Sequence, residues 1–404
     1  MSNKAVIIGA GISGLLTGLL LMRHGWKVTF IEAKHIGAGS SSRTAAGIRQ
    51  QFSTPQTVLG MRYCVDFYNN FNDVIGGSVS PIVHNGYLFL LDGKLEEARA
   101  RVAMQKAAGL SDVEFLDAAE TTRRFPFVDQ DMIQGATFCP SDGFLRPGIV
   151  YGETAQAVQR EGGVILQNAP VNKVRIKDGK ISEIRAGDIW VSGDVFFDCT
   201  NAWSPRLAGL MGAYSLPINP VKRYLWFIDR GGDFPESEFA NMPMVITPSG
   251  AYCRPENRDS LMVGWAHKAD SEPSFDWEDQ DEIEADFSHN SGLDSKAFEA
   301  WEAVASVLPP IAEFDGITST TSGYYGTTPD HNPFMCYDPY RENLIHLVGF
   351  SGHGAMFGPF TALVGLKLAE AGKDIDFVEA LDGRIDLDAF SINREFKHAE
   401  DMVI

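Results

Sequence analysis

The sequence predicts an α/β chain, α+β overall, whose domains are interleaved. Three observations predict it. A β-α-β pattern opens the chain over residues 4–32. Strand-like and helical runs then come in blocks, with a group of strand candidates between residues 222 and 266. No Pro/Gly/Ser linker divides the chain, so it crosses between its domains several times. The 404 residues suit two or three domains at about 150 residues each. A chain of this length buries about three quarters of its unfolded surface and needs no disulfide or structural metal to fold.

Residues 4–8 are apolar and bounded by glycine, which reads as a buried strand. Residues 12–24 read as a helix, with Gly25 placed to end it. Residues 27–32 complete the β-α-β unit. Helical patterns follow at 56–71, 94–108 and 147–161. Strand-like runs lie at 82–91, 164–176, 181–186 and 194–198, and again at 222–230, 250–254 and 260–266. Acidic helices are expected at 276–289 and 294–307. The last strand is expected at 344–349 and the last helix at 359–371, with Pro359 near its first turn.

Asp and Glu outnumber Lys and Arg by 53 to 34, a formal net charge of −19. That balance excludes a general nucleic-acid binder. Residues 270–286 hold nine carboxylates and no base. They read as a solvated helix face or as a docking face for a basic partner. The five cysteines are scattered and form no C-x-x-C pair, which excludes zinc ribbons and thioredoxin-like motifs and suits a reducing compartment. The apolar stretch at 15–22 is broken by Gly18 and is too short to span a bilayer. No small-residue cleavage site follows it, so the expectation is a cytoplasmic chain with no membrane span.

Gly9-Ala10-Gly11-Ile12-Ser13-Gly14 is a G-x-G-x-x-G directly after a strand and opening a helix. Gly9 permits the tight turn, Gly11 the approach of a pyrophosphate, and Gly14 close packing of helix on strand. The phosphates would sit at the positive end of the helix. Glu32 ends the second strand, where a carboxylate accepts hydrogen bonds from an adenosine ribose and repels a 2′-phosphate. FAD and NAD share this ADP half. The loop Gly37-Ala38-Gly39-Ser40-Ser41-Ser42-Arg43-Thr44-Ala45-Ala46-Gly47 would wrap the pyrophosphate and let a flavin ring lie against the backbone. Near the other end, Gly349-Phe350-Ser351-Gly352-His353-Gly354 leads from a strand into a helix whose N-terminus would stabilise a reduced, anionic flavin.

These residues resemble the FAD-dependent D-amino-acid oxidase superfamily, in the branch with sarcosine oxidase, glycine oxidase, dimethylglycine dehydrogenase and the L-proline dehydrogenase β-subunit. Ser42-Arg43-x-Ala45-Ala46-Gly47, Asp142-Gly143 with Pro147, and Ala202-Trp203-Ser204 carry the resemblance further, and it covers essentially the whole chain. It implies a Rossmann-like FAD-binding domain over residues 1–80, 141–215 and 320–404. A substrate domain with a mixed, largely antiparallel sheet would take 81–140 and 216–319.

The resemblance places Gly9, Gly11, Ile12, Ser13, Gly14, Glu32, Ala33, Ser41, Ser42, Arg43, Ala46, Gly47 and Ile48 around FAD. It adds Val171, where the backbone would meet the adenine, then Thr200, Trp203, Gly323, Gly352, His353, Gly354, Ala355 and Met356.

It further implies hydride transfer from the carbon next to an amine nitrogen to flavin N5, giving an imine that hydrolyses. The flavin carries the hard chemistry, so no metal is required. Arg49 would anchor a substrate carboxylate through its bidentate fork, with Gln51 as a polar contact. Tyr252, His267 and Tyr325 would border the pocket with Met356, and His353 would line the ring. Trp226 and Trp265 are expected in the core.

Three departures matter. Gly323 stands where sarcosine-oxidase-type members attach flavin through cysteine, so FAD is expected to be non-covalent. Met356 and Met262 stand where those members carry lysines. The loss of the second lysine, which is tied to oxygen reactivity, favours a dehydrogenase passing electrons to a protein or quinone.

The expected substrate is a small N-methylated or secondary amino acid, such as sarcosine, dimethylglycine or proline, or a D-amino acid. The alternatives are a 2-hydroxy-acid dehydrogenase and a flavin-binding assembly factor or non-catalytic subunit. The last is suggested by Gly47-Ile48-Arg49-Gln50-Gln51-Phe52-Ser53, which is similar to a mitochondrial member of the branch linked to respiratory-complex assembly.

Overall fold

The computed structural model describes residues 3–265, 295–381, 383–396 and 399–402. The expected helix 276–289, the acidic run 270–286 and His267 lie outside the described residues.

The opening strand Lys4–Ile8 lies in the middle of a six-stranded sheet. The order is Phe334–Tyr337, Leu344–Val348, Val195–Asp198, Lys4–Ile8, Lys27–Ile31, Val164–Leu166, and only Phe334–Tyr337 runs antiparallel. Successive residues of Lys4–Ile8 feed two different cores. Ala5 and Ile7 join the helices on one face, whereas Val6 and Ile8 join the face covered by the hairpin sheet Val171–Lys177, Lys180–Ala186 and Ile189–Ser192. A strand buried on both faces must read as a continuous apolar run. Helix Ile12–Arg23 packs against helices Pro147–Arg160 and Gly354–Ala371. Gly18 lets it close on Phe30, since a Cβ there would lie 2.1 Å from the ring.

Among the described residues the second sheet has eight strands. Its order is Gly316–Thr327, Asn219–Asp229, Ser260–Trp265, Ala251–Asn257, Met244–Ile246, Tyr87–Leu91, Gly135–Cys139, Glu114–Asp117. One pair, Met244–Ile246 with Tyr87–Leu91, is parallel, and the others are antiparallel. Strand periodicity sorts its residues. Leu88, Leu90, Val245, Ala251, Cys253, Leu261 and Val263 face a core shared with helix Lys296–Ala305. Their neighbours Tyr87, Phe89, Met244, Ile246, Tyr252 and Met262 face the other way, into a separate cluster. A small sheet of Gly47–Ile48, Gly143–Leu145 and Ile82–Val83 completes this part of the fold.

Several expected elements are revised. The run 82–91 is two strands in different sheets, broken at Gly86 with φ +83°. The run 164–176 likewise splits around Asn168, at φ +53°, and Pro170. The last helix begins at Gly354, which puts Pro359 inside it. A proline there leaves the carbonyl four residues back without its N–H partner. That carbonyl belongs to Ala355, and the Tyr68 hydroxyl donates to it at 2.7 Å. Beyond the expected last strand, a hairpin pairs Phe377–Ala380 with Gly383–Asp386. Strand Gly316–Thr327 is rich in Gly, Ser and Thr and lacks apolar alternation, and it runs across the expected boundary at 319/320. Trp226 is buried in the core with Phe234 and Phe239, while Trp265 packs on its edge.

Candidate active site

A cleft of about 500 Å³ runs across the carboxyl ends of the parallel strands. This is where open α/β sheets place ligands. Gly11 is the N-cap of helix Ile12–Arg23, with no side-chain cap and no acid in the first turn. The helix therefore offers its N–H groups and positive end to the cleft. Each glycine of the motif answers a separate close approach. A Cβ at Gly9 would sit 2.7 Å from the Cys199 carbonyl oxygen, at Gly11 2.9 Å from Ser41 Oγ, and at Gly14 2.0 Å from the Gly9 carbonyl oxygen. Ser41 Oγ also accepts from the Ile12 N–H at 3.0 Å, tying the 37–47 loop to the helix start. The Glu32 carboxylate is pinned at the strand end by the Ala10 and Lys34 N–H groups, both at 2.9 Å.

The far wall is the start of helix Gly354–Ala371, capped by His353 without a side-chain bond and with no acid in its first turn. Gly352 has φ +98°, and a Cβ there would lie 2.4 Å from the Tyr325 ring. Asn201 holds the third wall. It takes φ +50°, which asparagine tolerates, and its Oδ1 accepts from the Gly349 and Phe350 N–H groups at 3.0 and 3.1 Å. Behind it, fully buried Asp198 accepts from Thr200 N–H and Oγ1–H, from Ser204 Oγ–H, and from His346. His346 lies between Asp198 and Asp338, 3.1 Å from each. Burial disfavours its charge, but the two carboxylates outweigh it and raise its pKa to about 9.

A smaller cavity of about 40 Å³ opens off the cleft and shares Thr44, Tyr325, Gly352 and Ala355 with it. Arg49, Tyr87, Met244, Tyr252, His353 and Met356 line it. Arg49 is 2% exposed. Its guanidinium lies 3.9 Å from the Phe52 ring centroid, and Nη1 donates to the Gln51 carbonyl at 2.5 Å. Burial lowers its pKa, against the pull of Tyr87, Glu400 and Asp142. Burial also drives the Tyr87 phenol up to about 12. His353 is held neutral. Burial, then the charges of Arg49 and His331, push its pKa down to about 3, and its Nδ1 is buried with no hydrogen-bond partner. Asp142 accepts from Gln50 N–H, Gln50 Nε2 and Gln51 Nε2 at 2.8, 3.2 and 3.2 Å. Burial raises its carboxyl to about 7. Arg254, buried under the sheet, donates to the Ala45 carbonyl at 2.8 Å and so fixes the loop between the two cavities.

The structure brings most of the expected residues together. Gly9, Gly11, Ile12, Ser13, Glu32, Ala33, Ser41, Arg43, Val171, Thr200, Trp203, Gly323, Tyr325, Gly352, Gly354 and Ala355 line the cleft. Ala46, Gly47, Arg49, Tyr252, His353 and Met356 line the small cavity. Four lie elsewhere. Gly14 is the packing glycine, Ser42 is exposed, and Ile48 is in the core. Gln51 turns away toward Asp142 and the Tyr87 carbonyl. Tyr87, Met244, Asn201, Arg206 and Arg254 were not among the expected site residues.

The cleft fits a dinucleotide. Two uncapped helix starts face it, its glycines leave no room for Cβ atoms, and in the adjoining small cavity a neutral imidazole has an orphaned Nδ1.

Known proteins resolve which dinucleotide. Residues 4–365 match the model of the family described as FAD dependent oxidoreductase. The chain is 26% identical to the FAD-dependent oxidoreductase domain-containing protein 1 of Bos taurus, over 91% of this chain and 80% of that protein. It is 24% identical to the mitochondrial sarcosine dehydrogenase of Homo sapiens, over 88% of this chain but only 38% of that protein. Its fold is similar to that of L-proline dehydrogenase from P. horikoshii, with a TM-score of 0.79, 24% identity, and coverage of 92% of this chain and 94% of that one. The match spans the cleft, the small cavity and both sheets, and the chain belongs to the FAD-dependent oxidoreductase family.

Proposed function

We infer that the protein oxidises the C–N bond of a small amino acid carrying a secondary or N-methylated amine, and that it acts as a dehydrogenase. The observation that carries this is a buried arginine, Arg49, in the wall of an aromatic cavity that adjoins the FAD cleft. When bound, FAD would supply the hydride acceptor for oxidation of the carbon next to nitrogen. Gly9, Gly11, Glu32, Val171, Thr200, Trp203 and the start of helix Gly354–Ala371 would hold it. With Gly323 at the attachment position, it stays non-covalent.

This chain's own groups orient the substrate and keep water out. A carboxylate at Arg49 points the rest of the molecule toward Tyr252, Tyr325 and Met356. Tyr87 and Tyr252 are buried phenols and Tyr325 a partly buried one; burial raises their pKa values, so they stay protonated and can donate hydrogen bonds. Burial holds His353 neutral, so it puts no positive charge beside a substrate amine. Met262, buried in the cluster with Tyr87 and Tyr252, stands where sarcosine-oxidase-type members carry a lysine, which supports electron transfer to a protein or quinone acceptor. Among the described residues no helix is long and apolar enough to cross a membrane. The five cysteines are free, which supports a reducing, cytoplasmic setting.

The test is anaerobic titration of the flavin band with sarcosine, dimethylglycine, L-proline and D-amino acids. Bleaching by one of them, with slow recolouring in air, is the expected result. Fast recolouring would make the enzyme an oxidase. No bleaching by any amine, with bleaching by a 2-hydroxy acid, would move the reaction to a C–O bond.

A further inference from the structure

Arg49 is not open to a carboxylate in this structure. Besides its bond to the Gln51 carbonyl, its Nη2 donates to the carbonyl of Met402. Met402 belongs to a strap, Glu400 to Met402, that crosses the Arg49 loop and is pinned beside it. Glu400 is 0% exposed and accepts from the Ser53 N–H at 2.8 Å, the Ser53 Oγ–H at 2.7 Å and the Met402 N–H at 3.1 Å. The Asp401 N–H donates to Ser53 Oγ at 3.1 Å. The Glu400 N–H donates at 2.9 Å to the carbonyl of Asp330, itself ion-paired with Arg394 at 2.7 Å. Beyond this pin, Met402 packs against the inner-face cluster that contains Tyr87, Met244 and Tyr252. These are the walls of the small cavity.

The contact is incomplete. Arg49 Nε and Glu400 Oε2 are both buried with no hydrogen-bond partner. Buried polar atoms are nearly always paired, so one unpartnered atom on each of two neighbouring charged groups calls for an explanation. A fork-shaped ligand with two negatively charged oxygens would satisfy Arg49 better than one neutral carbonyl does.

We propose that the strap is a built-in competitor for the substrate carboxylate. It holds the Arg49 seat with a neutral carbonyl and yields it to a charged carboxylate. The proposal rests on the reading of Arg49 as anchor and adds a selection step to that same site. A carboxylate brings an opposite charge and two parallel bonds where the carbonyl brings one bond and no charge, so a carboxylate wins the exchange. A simple amine without a carboxylate does not, and it meets a closed pocket. If the strap is seated about nine-tenths of the time, the apparent affinity of a carboxylate that needs the Arg49 seat falls about ten-fold.

The test uses the full, FAD-loaded chain, with acetate and benzoate as unreactive carboxylates. Binding is read from the shift of the flavin band, and the strap from hydrogen exchange of its amides. Met402→Gly removes the hold on the cavity wall and leaves the Glu400 pin intact. It is expected to tighten carboxylate binding about ten-fold. In the wild type, saturating carboxylate is expected to speed exchange at the Met402 amide. Unchanged or weaker binding in Met402→Gly, with Arg49→Ala clearly weakened, overturns the strap proposal alone. Exchange that stays unchanged at saturation does the same. Carboxylate binding that is equal in Arg49→Ala and the wild type overturns the anchor reading and the strap with it.

Discussion

The cleft and the small cavity are built from different materials. The cleft is made of backbone: helix starts, glycines without room for a Cβ, and carbonyls and N–H groups held by short polar bonds. The small cavity is made of side chains: one buried cation, three phenols, a neutral imidazole and two methionines. A backbone site tolerates almost no added atom but needs few particular side chains. A side-chain site tolerates repacking but fails when one charged group changes shape. The two should therefore break in different ways.

The largest effect is expected at Gly14. A methyl group there would lie 2.0 Å from the Gly9 carbonyl oxygen, and backbone cannot move aside as a flexible side chain can. Gly14→Ala should abolish FAD retention, measured as flavin absorbance per purified chain. Normal retention would mean the cleft is more plastic than its geometry indicates.

Arg49→Lys tests the other material. A point charge replaces a fork at a site where burial already strains the cation. Loss of bonds to a charged group should raise the substrate's KM by about 10- to 100-fold, with FAD content unchanged. Loss of FAD in step with KM would show that the two sites are not separable.

The third effect concerns stability and pH. His346 is raised from 6.5 to about 9 between its two aspartates. Its contribution is fully present below the unfolded value of about 6.5 and is lost as pH rises through about 9. Asp198 and Asp338 are buried, yet His346 and their other donors hold their pKa values low, so their share is lost as pH falls below the ordinary aspartate range. Urea midpoints should decline on the alkaline side in the wild type, and His346→Gln should flatten that limb. An unchanged alkaline limb in the variant would assign the decline to other groups.

The smallest effect is expected at Asn201. Asn201→Gly keeps the positive φ but frees the Gly349 and Phe350 N–H groups. Two neutral hydrogen bonds are worth about 1–2 kcal/mol together. A drop of that size in unfolding free energy, with a modest weakening of FAD binding, would show that this side chain holds two cleft walls together.

The same division explains what could be read in advance. The β-α-β unit, Glu32 and the turn at residues 349–354 are local. Their meaning lies in the spacing of glycines along one segment, so the cleft was legible down to individual residues. The helix start was misread at Pro359 because the compensation, the Tyr68 hydroxyl on Ala355, comes from nearly 290 residues away. Strand Gly316–Thr327 has no hydrophobic alternation to reveal it and exists through its pairing with Asn219–Asp229.

By itself, then, the sequence determined the fold class and the β-α-β glycine motif that opens the cleft, which follow from short-range stereochemistry; Arg49 as a candidate anchor came from the family resemblance alone. Only the tertiary structure decided that Tyr87 and Met244 complete the pocket, that Gln51 faces Asp142 instead, and that Met402 sits on Arg49. These depend on which face of a strand turns inward and on segments about 350 residues apart meeting in one core, and no local pattern encodes that.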